Sequence, residues 1–284
     1  MADAAAVNAD MLAFWNGVGG NIWVERQAHT DAILTPVTYA LLAFAAPRAG
    51  ERVLDVGCGC GAATLDFAHA VAPEGSVEAL DISGPMLAEG KRRAQAAGIS
   101  NVEWRQEDAA STELGRFDLL VSAFGTMFFG DPVTAFSHMR EAAAPGARMA
   151  LVAWAPLGEN RWMELPMDAV RPHIPPRPKG TPNAPGMFAF ADPAYVTGLL
   201  ASAGWAEPRF EKLEAELDIA AGRGLDEAVV QSITIGAVNS WLRREPDEVK
   251  AAATQSIREA LAPHAEEDSV MLPGACWLIA SEAR

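Results

Sequence analysis

Ten residues from Arg52 to Gly61, Arg-Val-Leu-Asp-Val-Gly-Cys-Gly-Cys-Gly, combine the parts of a nucleotide-binding turn. An apolar stretch carries Asp55, and three alternate glycines follow at Gly57, Gly59 and Gly61. Glycine adopts positive φ angles and lets the backbone approach a ligand, and the residues after the turn predict a helix whose free N–H groups face it. The turn therefore predicts a nucleotide site at the carboxyl end of a strand.

The type of nucleotide depends on the charge beside the turn. Gly57, Gly59 and Ala62 also satisfy the G-x-G-x-x-A pattern of dinucleotide-binding enzymes, so the glycines alone leave both classes open. An Asp55 carboxylate would repel a pyrophosphate, whereas it would attract the cationic groups of S-adenosylmethionine. Residues 55–61 resemble motif I of the class I S-adenosylmethionine-dependent methyltransferases, D/E-x-G-x-G-x-G. The resemblance implies that S-adenosylmethionine is the cofactor and S-adenosylhomocysteine the product.

Two further acids follow predicted strands. Asp81 ends the second predicted strand, and Asp108 follows the third. The resemblance implies that the first of these acids accepts hydrogen bonds from the ribose hydroxyls and the second accepts one from the adenine amino group. We add Ile82, Ala109 and Ser122 to the predicted cofactor-binding residues. An acid at Asp81 would serve a dehydrogenase equally well, so this position does not separate the two classes.

Large apolar side chains follow the predicted fourth strand and indicate an acceptor pocket. Ligands of doubly wound sheets bind outside the carboxyl ends of the strands, where this loop lies. The candidate substrate residues are Phe124, Met127, Phe128, Trp154 and Trp162. Burial in the core is the alternative for the phenylalanine and methionine side chains. The Asn- or Asp-Pro-Pro-Tyr sequence that nucleobase-amine methyltransferases carry here is absent, which argues against methylation of DNA adenine.

The segment before the first strand is rich in large side chains and predicts a helix. This helix either forms a lid over the cofactor and acceptor or packs on the sheet edge. In the resembling family such a lid can contact the methionine end of the cofactor, so Trp23 and Gln27 are candidate cofactor residues. His29 in this segment and His173 farther along are the candidate general bases, which only a weakly acidic acceptor would need. The sequence predicts no metal site.

Strand and helix patterns alternate from about Arg52 to Ala153, which predicts a parallel, doubly wound α/β sheet of Rossmann-like type with helices on both faces. We interpret residues 1–284 as a single methyltransferase domain. Its predicted parts are a helical lid (1–48), a cofactor-binding core (50–155), an irregular proline-rich insertion that roofs the acceptor pocket (155–190), and C-terminal helices and last strands (191–284). In the last part, one helix is predicted near 225–242 and another near 247–262.

The composition of the chain limits which classes of binding partner are expected. The chain has 284 residues and a formal net charge of −15, and a negative surface repels phosphate backbones, so no nucleic-acid partner is predicted. No stretch reaches the roughly 18 apolar residues of a membrane-spanning helix, and the N-terminus lacks the basic region of a secretory signal. We therefore predict a cytoplasmic enzyme without a membrane span. A homo-oligomer is a further possibility, because the N-terminal aromatic segment could pack on a second copy of the chain.

Together these observations predict an enzyme that transfers the methyl group of S-adenosylmethionine to oxygen, carbon or nitrogen of a small aromatic or apolar metabolite by in-line displacement. The chain is similar to small-molecule members of the family, such as the quinone-ring methyltransferases. One alternative is a nicotinamide-dependent oxidoreductase that uses the same turn, although the chain lacks a Tyr-x-x-x-Lys pair. The other is a non-catalytic S-adenosylmethionine-binding subunit, which predicts no acceptor cavity.

Overall fold

The computed structural model describes residues 4–177 and 180–283. Residues 1–3 of the predicted lid, 178–179 of the predicted insertion and 284 lie outside the described residues. The strands are β1 (Arg52–Val56), β2 (Ser76–Asp81), β3 (Val102–Gln106), β4 (Phe117–Ala123), β5 (Ala143–Trp154), β6 (Arg209–Asp218), β7 (Ala265–Glu266) and β8 (Ser269–Glu282). The α-helices are α1 (Ala4–Trp15), α2 (Val18–Glu25), α3 (Gln27–Ala45), α4 (Ala62–Val71), α5 (Gly84–Ala96), α6 (Pro132–Ala142), α7 (Arg161–Val170), α8 (Pro193–Ser202), α9 (Gly224–Thr234), α10 (Ala237–Leu242) and α11 (Asp247–Leu261).

The central sheet has the strand order β3-β2-β1-β4-β5-β8-β6, and β7 pairs with β8 outside this path. The first five strands of this order are parallel, and β8 runs antiparallel to both β5 and β6. Asp55 in β1 pairs with Ala79 on one side and with Val121 on the other. The strand order reverses between β1 and β4, and right-handed crossovers then place helices on both faces. The predicted doubly wound α/β fold is confirmed.

The central strands are apolar on both faces, as strands covered by helices require. Leu54 in β1 and Leu120 in β4 have no exposed surface. Two framework helices begin at polar capping residues. The Ser83 side chain accepts a hydrogen bond from the N–H of Met86 at the start of α5, and Asp131 caps α6 in the same way. These caps fix where each helix leaves the carboxyl edge of the sheet.

A second apolar cluster lies outside the sheet and joins α7, α9, α10 and α11, which we call the helical roof. Its buried residues include Val170 of α7, Val229 of α9 and Ile257 of α11. Among the N-terminal helices, α1 packs on α2, and α2 packs on α5. None of the helices within residues 4–177 and 180–283 is long and apolar enough to cross a membrane.

Three sequence predictions about the elements are corrected. The insertion at 155–190 is not wholly irregular, because α7 forms within it and carries Pro166. The helix expected at 225–242 is two helices, since Gly236 adopts a φ of 82° between α9 and α10. The sequence places a turn at the Pro145-Gly146 pair and predicts that the fifth strand begins after it, at Ala147, whereas the strand begins at Ala143. Its Pro-Gly pair forms an irregularity within β5, where the pairing with β4 shifts register.

Candidate active site

A cavity of about 1220 Å³ opens at the carboxyl edge of the sheet, between the N-terminal helices and the helical roof. We call one part the turn half, which is lined by the glycine turn, the ends of β1, β2 and β3, and the start of α3. We call the other part the aromatic half, which is lined by the loop after β4, the end of β5, α7, the α9–α10 connection, α1 and α2. The cavity lies where doubly wound sheets bind their ligands.

The glycine turn has the backbone that only glycine adopts without strain. Gly57, Gly59 and Gly61 have φ angles of 69°, 55° and 80°. A Cβ on Gly57 would lie 2.6 Å from the Cα of Gly125 in the loop after β4, so these two turns touch backbone to backbone. Gly57 and Gly59 line the cavity. Gly61 does not, and instead precedes α4 and packs against Trp104.

The three predicted acids, Asp55, Asp81 and Asp108, all line the turn half. Asp81 accepts hydrogen bonds of 2.8 Å from the backbone N–H groups of Gly59 and Ser83, which tie the glycine turn to the end of β2. Asp108 accepts a bond from the N–H of Ala110 at 2.9 Å. Ile82 and Ala109, the neighbours of the last two acids, also line the cavity. The structure thus brings together acids that are 26 and 27 positions apart in the chain.

Burial changes the chemistry of the two innermost acids. It raises the pKa of Asp55 to about 7, against a hydrogen bond of 2.6 Å from the Thr64 hydroxyl that lowers it. Burial also raises the pKa of Asp81, while the backbone N–H groups that it accepts lower it. Two buried carboxylates that hold their protons more tightly than usual favour a ligand with positive charge, because such a ligand stabilises their ionised forms.

The start of α3 contributes a further acid, Asp31, which the sequence analysis did not single out. Asp31 lines the turn half, and its Oδ2 accepts bonds from Gln27 Nε2 at 2.5 Å and from Arg93 Nη2 at 2.7 Å. Arg93 also donates to the carbonyl of Cys60 in the glycine turn at 2.6 Å. Burial raises the pKa of Asp31, and Arg93 lowers it. The predicted Gln27 therefore reaches the cavity as part of a network that holds α3 against the turn.

Asn16, between α1 and α2, fastens the N-terminal helices to the loop after β2. Its Nδ2 donates to the carbonyl of Ile82 at 2.8 Å, and its Oδ1 accepts from the N–H of Gly84 at 3.0 Å. The preceding carbonyl, that of Trp15, accepts a bond of 2.6 Å from Ser83 Oγ. The indole ring of Trp15 meets Phe128 edge-on, with ring centroids 5.6 Å apart. Trp15 and Asn16 therefore contact the loop beside Asp81 and the loop after β4 at once.

The aromatic half contains a stack of three rings. Phe124 and Trp154 lie nearly parallel, with centroids 4.4 Å apart and planes inclined by 14°, and Trp162 lies 5.0 Å beyond Trp154. Phe124 has a φ of 64°, which is unusual for a residue other than glycine and turns the chain sharply after β4. The other predicted substrate residues, Met127 and Phe128, also line the cavity, although Met127 is almost fully buried. The five predicted substrate residues therefore lie around one space.

Four predicted residues do not line the cavity, namely Gly61 and the three residues His29, His173 and Ser122. The ring of His29 is buried, with Nε2 3.1 Å from the carbonyl of Ile219, and burial lowers its pKa. His173 Nε2 lies 2.8 Å from the hydroxyl of Ser256 on α11, within the helical roof. The structure thus brings neither candidate base to the site. Ser122 lies beneath the turns.

Ser122 lies outside the cavity and connects the end of β1 with the loop after β4. Its hydroxyl donates to the carbonyl of Val56 at 2.6 Å and accepts from the N–H of Gly125 at 3.1 Å. The expectation that Ser122 binds cofactor directly does not match this position, because the side chain has no exposed surface. Ser122 instead holds the loop after β4 against the end of β1.

Several cavity residues had no local sequence signal. Four methionines of the aromatic half lie far apart in the chain, at Met11, Met163, Met167 and Met187. Arg243, at the end of α10, also lines this half. The flexible thioether side chains adapt to irregular ligand shapes, which rigid rings alone would not. Only the α7 pair, spaced by four residues, carries a periodic signal in the sequence.

Comparison with known proteins decides the family. Residues 53–146 match the model of a methyltransferase domain. Nocamycin O-methyltransferase of Saccharothrix syringae is 30% identical over 238 residues, which cover 80% of this chain and 84% of that protein. The chain belongs to the S-adenosylmethionine-dependent small-molecule methyltransferases. This membership confirms the predicted cofactor and reaction class, and it does not favour the nicotinamide or non-catalytic alternatives.

Two further relatives place the methyltransferase more closely. A ubiquinone/menaquinone biosynthesis C-methyltransferase of Pseudomonas fluorescens is 36% identical over 111 residues, 38% of this methyltransferase and 43% of that protein. The crystal structure of the YcgJ protein from Bacillus subtilis superposes with a TM-score of 0.54 at 18% identity, over 87% of this chain and 97% of that one. The first bears out the resemblance to the quinone-ring branch, and the second shows that the fold is shared.

The turn half of the methyltransferase fits its cofactor. Five carboxylates line it, and they can accept hydrogen bonds from an ammonium and from ribose hydroxyls and attract a sulfonium: Asp31, Asp55, Asp81, Glu107 and Asp108. The hydroxyl of Thr30 is buried beside them and has no hydrogen-bond partner among residues 4–177 and 180–283. A Cβ on Gly59 would lie 2.9 Å from Met86 Cε, so a side chain at this position would crowd Met86. With glycine there, the turn presents only backbone atoms on this side. Within the described ranges, no three or more His, Cys, Asp or Glu side chains are arranged so that they could hold a metal ion.

Proposed function

We propose that this methyltransferase acts on a flat, largely apolar acceptor with fused or linked aromatic rings. The observation that carries the proposal is the stack of Phe124, Trp154 and Trp162 in the same cavity as the acid-lined glycine turn. Offset aromatic rings bind other rings by about 1 kcal/mol beyond the burial of area alone. The relatives carry names of O- and C-methyl transfer, so the acceptor atom is a separate question from the acceptor's shape.

Within the turn half, we assign Asp81 to the ribose hydroxyls and Asp108 to the adenine amino group. Ile82 and Ala109 would flank the base. Asp31, Asp55, Gln27, Thr30 and Trp23 surround the space that remains for the methionine end. When bound, S-adenosylmethionine supplies a methyl group on a positively charged sulfur, which an acceptor displaces in one step.

The protein's contribution to that step is to position the acceptor. The ring stack holds the acceptor plane, and the methionines close the space around it, so that two bound partners meet at short range. Such positioning is worth effective molarities of about 10⁵ M or more. His29 and His173 lie outside the cavity, so we assign neither a role as base. The acids of the cavity all lie in the turn half, where they face the cofactor.

We further propose that α1 and α2 form a lid, since Met11, Trp15, Val18 and Trp23 close one side of the aromatic half. Leu12 and Phe14 remain 50% and 43% exposed beside it, as expected of a lid that packs fully only over a ligand. The acceptor is proposed to be a free metabolite and not a nucleic acid, because the chain carries a net charge of −15. A cytoplasmic location and the oligomeric state remain predictions.

The test is a methylation assay with deuterated S-adenosylmethionine and a panel of hydroxylated naphthoquinones and anthraquinones, read by mass spectrometry. We compare Trp154→Leu with Trp277→Leu. Trp154 pairs with Cys276 across β5 and β8, and Trp277 is the next residue, which lies outside the cavity against Phe210. Loss of a stacked ring should lower kcat/KM for the acceptor about tenfold or more. The KM for S-adenosylmethionine and the Trp277 variant should stay near wild type.

Equal losses in both tryptophan variants would contradict the proposed ring site. So would turnover that prefers small aliphatic acceptors over every aromatic member of the panel. Methylation of no acceptor, with S-adenosylhomocysteine still bound, would restrict the chain to cofactor binding.

A further inference from the structure

The charges around the cavity are divided unevenly. Six charged side chains of the described residues line it, and the five acids all belong to the turn half. The sixth is Arg243, which lines the aromatic half at the end of α10. Its side chain is exposed, so the guanidinium stays in contact with solvent while it borders the apolar half of the cavity.

Arg243 has no carboxylate partner within 4 Å among residues 4–177 and 180–283. Its neighbours differ in this respect. Arg26 at the other side of the α9–α10 pair binds Glu227 at 2.6 Å, and Arg177 approaches Glu245 at 3.9 Å. Asn239 and Ser240, one turn earlier on α10, line the cavity with it. The end of α10 therefore offers a cation and two neutral polar groups to a ligand in the aromatic half.

The charge of the whole chain makes this cation more consequential. A net charge of −15 gives a negative potential that opposes the entry of anions. A guanidinium at the aromatic half offsets part of that potential at short range, and guanidinium groups bind anionic oxygens through charge-assisted hydrogen bonds. A neutral acceptor would gain little from it.

We infer that the acceptor carries an acidic oxygen substituent, a carboxylate or an ionised phenol, which Arg243 binds while the ring system lies against Phe124, Trp154 and Trp162. This inference rests on the proposed function and specifies its substrate class as aromatic acids. Arg243 is a specificity residue in it. The ion pair fixes which end of the acceptor lies at α10 and which end lies toward the glycine turn.

The test uses two fluorescent probes that differ in one group. One is 1-anilinonaphthalene-8-sulfonate, an aromatic anion, and the other is N-phenyl-1-naphthylamine, the same ring system without the sulfonate. Arg243→Ala should weaken binding of the anionic probe about two- to fivefold, as for an exposed ion pair, and leave binding of the neutral probe unchanged. Arg243→Lys should recover part of the loss. Arg244→Ala is the matched control, since Arg244 is exposed and does not line the cavity.

Binding of S-adenosylhomocysteine is measured on the same samples by calorimetry. An unchanged affinity there, with selective loss of the anionic probe, supports the inference. Three results overturn it: no loss of the anionic probe, equal loss of both probes, or the same loss in the Arg244 variant, which would reflect the general potential. Failure of the wild-type protein to bind S-adenosylhomocysteine would instead refute the proposed function.

Discussion

Asp55→Asn should stabilise the free protein at high pH and leave it nearly unchanged at low pH. Asp55 is 1% exposed, and its pKa is raised from 3.8 to about 7 by burial. A carboxyl whose pKa is raised by folding contributes stability that is complete below the unfolded pKa and is lost as the pH rises through the folded pKa. The shift of about 3 units corresponds to roughly 4 kcal/mol.

Part of this free energy can be measured directly. Between pH 5 and the pKa of about 7, the unfolding free energy of the wild-type protein falls with each pH unit. By pH 8 it should have lost roughly 3 kcal/mol that the asparagine variant keeps. The isosteric amide can still accept the hydrogen bond from Thr64, so packing stays comparable. The assay is urea denaturation of both proteins at both pH values, with Asp10→Asn on exposed helix α1 as a control for the loss of one acid.

The same variant should bind S-adenosylhomocysteine more weakly at pH 8, because the ammonium of the ligand loses a carboxylate partner. Wild-type affinity should fall as the pH drops below about 7, and the affinity of the variant should depend less on pH. A difference in unfolding free energy between wild type and variant that is the same at both pH values would refute the reasoning. It would mean that Asp55 is ionised in the folded protein throughout this range.

Two further predictions concern residues outside the ring stack. Asn16→Ala should weaken S-adenosylhomocysteine binding about tenfold by calorimetry, because the Gly84 N–H beside Asp81 loses its partner and the Ile82 carbonyl keeps only Gln106 Nε2, at 3.3 Å. Asn21→Ala on the same lid is the control, and equal affinities would separate the lid from the cofactor loop. The His29→Gln variant should keep a turnover within about threefold of wild type and the wild-type pH profile, since the His29 ring contacts the Ile219 carbonyl outside the cavity. If the variant instead loses one pH-dependent limb of the rate profile, His29 acts as a base.

The sheet and the turn half could be predicted because their signals are local. The apolar run before Asp55, the alternate glycines and the acid at the end of each strand lie within a few residues of one another. Parallel strands then bring their carboxyl ends to one edge whatever the remaining chain does. Asp81 and Asp108 needed only the strand boundaries to be placed.

Helix α7 of the helical roof was harder to predict because Pro166 masked its periodicity. Met163, Met167 and Val170 form a buried stripe at helical spacing, but Pro166 lies among them and suggested an irregular segment. In the structure Pro166 is itself buried on the same face, so packing offsets the lost backbone hydrogen bond. The break at Gly236 is the converse case, in which a single glycine divides an otherwise continuous pattern.

Long-range partners decided the remaining residues. His29 faces the carbonyl of a residue 190 positions away, and Asn16 bonds to a loop 66 to 68 positions away. Nothing in the local sequence of either residue indicates these partners. Asp31 and Arg243 entered the site in the same way, through the packing of α3 and α10. The sequence therefore predicted the cofactor, whereas the contacts of His29, Asn16 and Arg243 could be found only in the structure.

The contact between Gly57 and Gly125 bears on how such an enzyme changes its substrate during evolution or by redesign. Because the two backbones touch, any bulk added to the loop after β4 moves the glycine turn as well, and a gain in acceptor range there would come with weaker cofactor binding. The face of α7 with Met163 and Met167 has no such link to the turn. New acceptor preferences are therefore more readily acquired by substitution on α7, which changes the lining of the aromatic half while the glycine turn that faces the methyl donor stays unchanged.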